Sequence, residues 1–238
     1  MTEIIEKQRN LIGGEYKERF DAYAALLREY NEKYNLTTIL EEKDVFYKHF
    51  LDSAIGEPFF TQNASVLEVG SGAGFPSIPL KLLRPDLSFT LLESVGKKCE
   101  FLRVVVDKLG LNKVNIYQMR AEEAAREETF REKFDFATAR AVARMNTLSE
   151  YCLPFVKVGG KFIAYKSGEE SEINEAKSAY KTLGGRLLKV LRYELPEGYG
   201  GRTLAIVEKV EKTPNKYPRG REKRENRPFK RKVLLSFV

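Results

Sequence analysis

The chain has no tryptophan, one histidine and two cysteines among 238 residues. A single histidine, His49, excludes metal centres built from several imidazoles. Two cysteines, Cys99 and Cys152, supply neither a disulfide framework nor a zinc-binding set. No apolar run approaches the roughly 20 residues that cross a bilayer, and MTEIIEKQRN at the start lacks the apolar core of a secretory signal. No membrane partner, no metal and a cytoplasmic setting are therefore expected; a monomer is the expected state independently of these absences. Charged residues make up 32% and the mean hydropathy is −0.41, values that suit a soluble globular chain.

What is present in excess is positive charge, and it is local. The formal net charge is +7. Residues 209–232 hold eleven Lys or Arg against three Glu, a net of +8, so everything else is close to neutral. A basic stretch of this kind suits phosphate backbones. A solvated basic tail is the plainer reading of the same charges.

The rest of the chain is organised around VLEVGSGAGFPSIPL, residues 66–80. A short apolar run carrying Glu68 breaks into glycines at Gly70, Gly72 and Gly74, then Phe75 and Pro76, then a helical pattern. This reads as strand, tight turn, helix. Glycines permit backbone angles that a Cβ forbids and let a ligand approach bare main chain. Such a turn, at a strand's carboxyl end and a helix N-terminus, is where doubly wound folds bind nucleotide-like ligands. The dinucleotide pattern G-x-G-x-x-G would need its third glycine at Phe75. The alternating G-x-G-x-G, preceded by an acid two residues before it, instead resembles motif I of the S-adenosylmethionine (AdoMet) methyltransferases.

Upstream, Tyr16, Phe20, Tyr23, Leu27, Tyr30 and Tyr34 recur at steps of four and three. They predict one buried stripe of a helix over 15–34, more plausible as core than as a base-stacking platform. Residues 41–55 predict a second helix with Val45, Phe46, His49, Phe50 and Ala54 on one face. His49 there reads as a buried structural group rather than a catalytic one. Residues 1–60 are expected to be a helical extension packed on a core of 61–210, followed by a basic tail, 211–238. The core alternates strands and helices: strands at 65–69, 88–92, 114–118, 134–139 and 161–166, helices at 76–83, 96–109, 121–128, 146–155 and 170–183. Strands at about 186–193 and 202–208 follow, and Gly159–Gly160 is read as the turn into the fifth strand. Five βα units and a terminal hairpin predict an α/β fold with a mostly parallel, seven-stranded Rossmann-like sheet.

Glu93 lies at the end of the second strand, where a carboxylate can accept both ribose hydroxyls of an adenosyl group. A nicotinamide cofactor would use the same acid. Capping of the next helix is the structural alternative. Arg120-Ala121-Glu122 follows the third strand, where such folds edge an adenine ring. The acceptor atom is narrowed by absences. After the fourth strand the chain reads TARAVAR, with no N-P-P-Y tetrapeptide of amino-group methyltransferases. Pyrimidine C5 methylation needs a cysteine nucleophile, and both cysteines fall inside predicted helices. Oxygen methylation generally needs a base, for which Lys166 is a candidate. Attack by a purine N7 uses a free lone pair, releases no proton, and needs only alignment.

Several segments together carry a family resemblance: YNEKYNLTTI (30–39), KHFLDSA (48–54), VLEVGSGAGFPSIPLKLLRPD (66–86), LLESVGKKCEFL (91–102), RAEEAA (120–125), FDFATARAVARM (134–145), GGKFIAYKSG (159–168) and NKYPRGREKRENRPF (215–229). They resemble the RsmG family, also called glucose-inhibited division protein B. The resemblance implies an AdoMet-dependent methyltransferase acting on N7 of one guanine in the decoding region of bacterial small-subunit rRNA, in a ribosomal particle. It implies cofactor contacts at Gly70, Phe75, Ala121, Glu122 and Arg140, with Glu93 added from the ribose argument. Arg140 is expected to meet the methionine carboxylate or an RNA phosphate, because a guanidinium beside a sulfonium needs an anion. Lys166, Arg219, Arg221, Lys223, Arg224 and Arg227 are the expected RNA contacts. Lys166-Ser167-Gly168 departs from the family's Lys-Gly, and FKRKVLLSFV lies past the matching part. A small-molecule or protein methyltransferase and a non-catalytic RNA chaperone are the competing readings.

Overall fold

The computed structural model describes residues 1–167, 171–220 and 229. Seven strands form one sheet in the order β3-β2-β1-β4-β5-β7-β6. They are β1 (Ser65–Val69), β2 (Ser88–Glu93), β3 (Val114–Gln118), β4 (Phe134–Arg140), β5 (Val156–Lys166), β6 (Gly185–Leu195) and β7 (Gly200–Lys209). The first five pair in parallel, and β7 runs antiparallel between β5 and β6. Because β1 lies between β2 and β4, the chain order reverses at β1, and a crevice opens at the strands' carboxyl ends.

Side-chain alternation sorts the two faces. Val66, Phe136, Ile163 and Ile206 face one core, which the helices Ser77–Leu83 and Gly96–Lys108 and the N-terminal segment cover. Leu67, Ala137, Phe162 and Val207 face the other, covered by Met145–Cys152 and by Ser171–Glu175 with Lys177–Thr182. Burial on both faces accounts for the continuous apolar runs of the central strands.

The N-terminal segment holds α1 (Thr2–Gly13), which the sequence reading did not resolve, and α2 (Lys17–Tyr34). The aromatic stripe is core: Phe20, Tyr23 and Leu27 are almost fully buried. Phe20 meets Phe50 at a centroid distance of 4.9 Å. Truncating Leu27 to Ala would cost about 2–5 kcal/mol. The second expected helix is interrupted. Glu42–Asp44 and Asp52–Ala54 are α-helical, but Val45–Leu51 between them is a π-helix. The wider turn shifts the phase, so Tyr47 and Leu51 are also buried while Phe46 is only partly so. Such insertions are frequent at functional sites.

Other boundaries also differ from expectation: the helix expected over 121–128 ends at Ala124, and that over 146–155 is α-helical only over Met145–Cys152. Gly159–Gly160 is not a turn before β5 but lies within it, at a bulge where pairing slips from Phe134↔Val156 to Phe136↔Lys161. A Cβ on Gly160 would lie 2.4 Å from the Asp135 carbonyl oxygen, so glycine permits the close strand approach. The helix expected over 170–183 breaks at Ala176 into two short pieces. Among the described residues no helix is long and apolar enough to cross a membrane, and no group of metal-ligating side chains occurs. Cys99 and Cys152 are buried free thiols.

Candidate active site

The glycine turn closes the carboxyl end of β1. Gly70, Gly72 and Gly74 have φ of 67°, 57° and 97°, which a side chain at these positions would strain. The main-chain N–H groups of Gly70 and Ser71 donate to the Leu92 carbonyl at 2.8 and 3.1 Å. Glu93 braces the turn further. Its Oε2 accepts the Gly72 N–H at 2.9 Å and its Oε1 accepts the Val95 N–H at 2.8 Å. From the other side α2 pins the turn, since the Tyr23 hydroxyl donates to the Ala73 carbonyl. At Gly74 there is no room for a side chain: a Cβ there would lie 2.5 Å from Ile78 Cγ1 and 2.9 Å from the Tyr23 hydroxyl. The stripe that marked Tyr23 as core gave no sign of this contact.

Beside the turn is a cleft of about 190 Å³. Gly70 from the turn, Met119, Ala121 and Glu122 after β3, and Val142 and Tyr151 after β4 contribute to its walls. The expected positions Gly70, Ala121 and Glu122 are thus brought together. Glu93 and Phe75 stand behind them, Glu93 under the glycine turn and Phe75 on the side of His49. Val142 covers Gly70, so that a Cβ on this glycine would lie 2.8 Å from Val142 Cγ2.

A second cavity, about 280 Å³, opens at the ends of β4, β5 and β7. Arg140 and Ala141 line it, and the next two residues, Val142 and Ala143, line the first cleft. The two spaces therefore meet across one stretch of chain. Ala141 in that stretch has φ 55°, an uncommon conformation for a residue with a side chain. A third, larger cavity of about 500 Å³ lies between α1, α2 and the π-helix, away from the strand ends.

Arg140 is held on several sides. One Nη1 donates to the Lys48 carbonyl at 2.9 Å and to Asp52 Oδ2 at 3.1 Å. Nη2 lies 3.0 Å from His49 Nδ1, and the guanidinium carbon is 4.9 Å from the Phe75 ring centre. His49 stacks on the same ring at 4.2 Å, and its Nε2 lies 3.1 Å from Thr37 Oγ1. Asp52 Oδ1 accepts the Tyr193 hydroxyl at 2.8 Å. Burial, reinforced by Arg140, pushes the His49 imidazole down to about 3, so the ring is neutral at physiological pH. Asp52, Thr37 and Tyr193 were not expected at the site. Asp52 lies in a segment that carries the family resemblance, but no spacing rule links it to a residue 88 positions away.

Glu68 lies beneath the turn, fully buried. Burial raises its carboxyl to about 8, with Ser77 and Arg140 opposing that shift. Among the described residues its Oε1 has no hydrogen-bond partner, while Oε2 accepts the Ser77 N–H at 3.3 Å. An acid that stays protonated adds a donor under the glycine turn without a buried charge.

The expected RNA contacts fall in different settings. Lys166 is mostly buried and donates to the Ala143 carbonyl at 3.0 Å and to Glu172 Oε1 at 2.8 Å. Arg219 is bound to Glu150, a fully buried carboxylate, through Nη2 to Oε2 at 2.6 Å and Nε to Oε1 at 2.9 Å. A buried carboxylate requires such a cation, so the start of the basic tail is strapped to the core. Arg221, Lys223, Arg224 and Arg227 lie outside the described residues.

A glycine cradle, an acid at the end of β2 and a cleft over the β3 and β4 loops together fit an adenosyl ligand. Residues 16–197 match the GidB family, described as rRNA small subunit methyltransferase G. The chain belongs to the GidB family. A relative from Brevibacillus brevis bearing the same description is 49% identical over 221 residues, spanning 92% of this chain and 93% of that one. One from Alkaliphilus metalliredigens is 48% identical over 200 residues, 83% and 84% of the two chains. Among solved structures, a SAM dependent methyltransferase from Aquifex aeolicus superposes with a TM-score of 0.51 over 68% of this chain and 92% of that one. Its identity is 18%, so the likeness shows the fold alone.

Proposed function

We propose that this GidB-family chain transfers the methyl group of AdoMet to N7 of one guanine in the decoding region of bacterial small-subunit rRNA, within a ribosomal particle in the cytoplasm. The observation that carries this reading is the family match across residues 16–197, laid over a glycine cradle at the switch point of the sheet.

AdoMet supplies an electrophilic methyl on a sulfonium. The chain's part is to bind and align. Gly70, Ala121 and Glu122 line the cleft for the adenosyl moiety. Glu93 holds the glycine turn and offers its carboxylate to the ribose. Phe75 and Arg140, stacked and charge-balanced by Asp52, serve the methionine end. Guanine N7 attacks with a ring lone pair, so no proton leaves and no base is required; catalysis then rests on approach geometry and exclusion of water. Lys166 is an RNA contact at the end of β5, and the basic residues Arg219, Arg221, Lys223, Arg224 and Arg227 add phosphate-binding charge, with Arg219 also serving as a structural strap. The helical extension, residues 1–60, closes the acceptor side, the core is 61–210, and 211–238 forms the basic tail of a monomer.

The test is transfer of labelled methyl from AdoMet to small subunits from cells lacking this protein, followed by nuclease digestion. Label recovered as N7-methylguanine in one decoding-region fragment is the expected result. AdoMet binding with no labelled RNA fragment would end the rRNA reading and leave the fold intact.

A further inference from the structure

The cofactor reading reaches the 280 Å³ cavity at the ends of β4, β5 and β7 only through Arg140, and leaves its Lys166 and Glu172 side without a role. Among the described residues its walls carry four cations, Lys48, Arg140, Lys166 and Arg202, against two carboxylates, Asp52 and Glu172. With His49 neutral the balance is positive, which suits a nucleotide. The cavity adjoins the cofactor cleft through the consecutive residues Arg140 to Ala143. A base held in it therefore lies beside Arg140, the residue assigned to the methionine end of the cofactor.

The two carboxylates differ. Both oxygens of Asp52 are committed, Oδ2 to Arg140 and Oδ1 to Tyr193. Glu172 uses only Oε1, which accepts the Met145 N–H at 2.6 Å and meets Lys166 Nζ at 2.8 Å. Its Oε2 has no partner among the described residues. The cavity thus holds one acceptor with spare capacity, placed directly beside an ammonium. Guanine is the base whose Watson–Crick edge matches that pair. N1–H and the N2 amine are adjacent donors, and O6 next to them is an acceptor. Adenine offers an acceptor at N1 and a donor at position 6, the reverse arrangement. Enzymes that modify an extruded base read it through this edge, and the edge lies away from N7, which stays free to attack.

We propose that this cavity is the acceptor-base pocket, in which Glu172 receives the N1–H and N2–H donors of the target guanine and Lys166 meets its O6. The proposal rests on the guanine-N7 reading above. Glu172 also caps the helix Met145–Cys152 through Oε1, and this second duty shapes the test.

Small subunits are assembled with the target guanine or with inosine, which lacks only the 2-amino group, at the labelled position. Methyl transfer is measured for the wild-type protein and for Glu172→Gln. The wild type is expected to prefer guanine about tenfold in kcat/KM, the size of one hydrogen bond to a charged group. Glu172→Gln should lose most of that preference and slow guanine far more than inosine, with AdoMet affinity unchanged. Equal use of guanine and inosine by the wild type overturns the proposal without any variant. Equal slowing of both substrates in Glu172→Gln, or loss of AdoMet binding, assigns Glu172 to helix capping alone and also overturns it. Failure of the underlying reading is distinguishable, because the wild type would then place no label on N7 of guanine.

Discussion

Arg140 Nη2 lies 3.0 Å from His49 Nδ1, and this contact determines the proton on the imidazole. A guanidinium can only donate, so Nδ1 must accept. The proton is on Nε2, directed at Thr37 Oγ1, 3.1 Å away. His49 is therefore a neutral spacer that holds Arg140 in one plane over Phe75, consistent with the low proton affinity of the ring.

Removing Arg140 should be expensive for the fold. Arg140→Ala leaves Asp52 buried with a tyrosine hydroxyl and with Arg202 no closer than 3.8 Å. Breaking one side of such a pair costs about 3 kcal/mol. Urea unfolding should show this loss, and adding Asp52→Asn should recover at least about 1 kcal/mol of it. Strict additivity of the two substitutions would show that the pair is not coupled.

His49 should make stability depend on acid. The unfolded chain protonates this ring near 6.5, the folded chain only near 3. Between those values the unfolded state binds more protons, so stability falls as pH drops through the window. His49→Asn keeps an acceptor toward Arg140 and does not titrate. Its unfolding free energy should therefore vary less between pH 6.5 and pH 4 than that of the wild type. Parallel pH profiles would place the acid sensitivity elsewhere.

Glu68 acts in the opposite sense. Its folded value of about 8 lies above the ordinary 4.5. From pH 4.5 to pH 8 the folded state holds a proton that the unfolded state has released, so this group's contribution declines as pH rises and is level above 8. Glu68→Gln should thus gain on the wild type by more than about 1 kcal/mol between pH 5 and pH 9. A difference that does not change with pH would mean that Glu68 ionises normally.

The glycines of the turn should differ in tolerance. Gly72→Ala meets nothing nearer than the Gly70 carbonyl oxygen at 3.9 Å, and its cost is backbone strain of about 1–2 kcal/mol. Gly74→Ala adds collisions with Ile78 at 2.5 Å and Tyr23 at 2.9 Å. Thermal denaturation should show Gly74→Ala as the more damaging by a clear margin. Similar melting temperatures would mean that α2 yields easily at this contact.

Local chemistry alone determined much of this protein. The alternating apolar strands, the glycine turn after Glu68 and the carboxylate at Glu93 are short-range patterns, and β1 and β3 begin and end where their periodicity places them. The family resemblance rested on the same contiguous segments. Tertiary structure decided the rest. It set the π-helical register of Val45–Leu51, which no period of 3.6 can reveal. It brought His49 and Asp52 to Arg140 across some ninety residues, paired Arg219 with Glu150, and set Glu172 beside Lys166. Periodicity reports which face of an element is buried. Which polar atoms then meet depends on how separate elements pack, because a buried charge takes whatever partner the fold brings within reach.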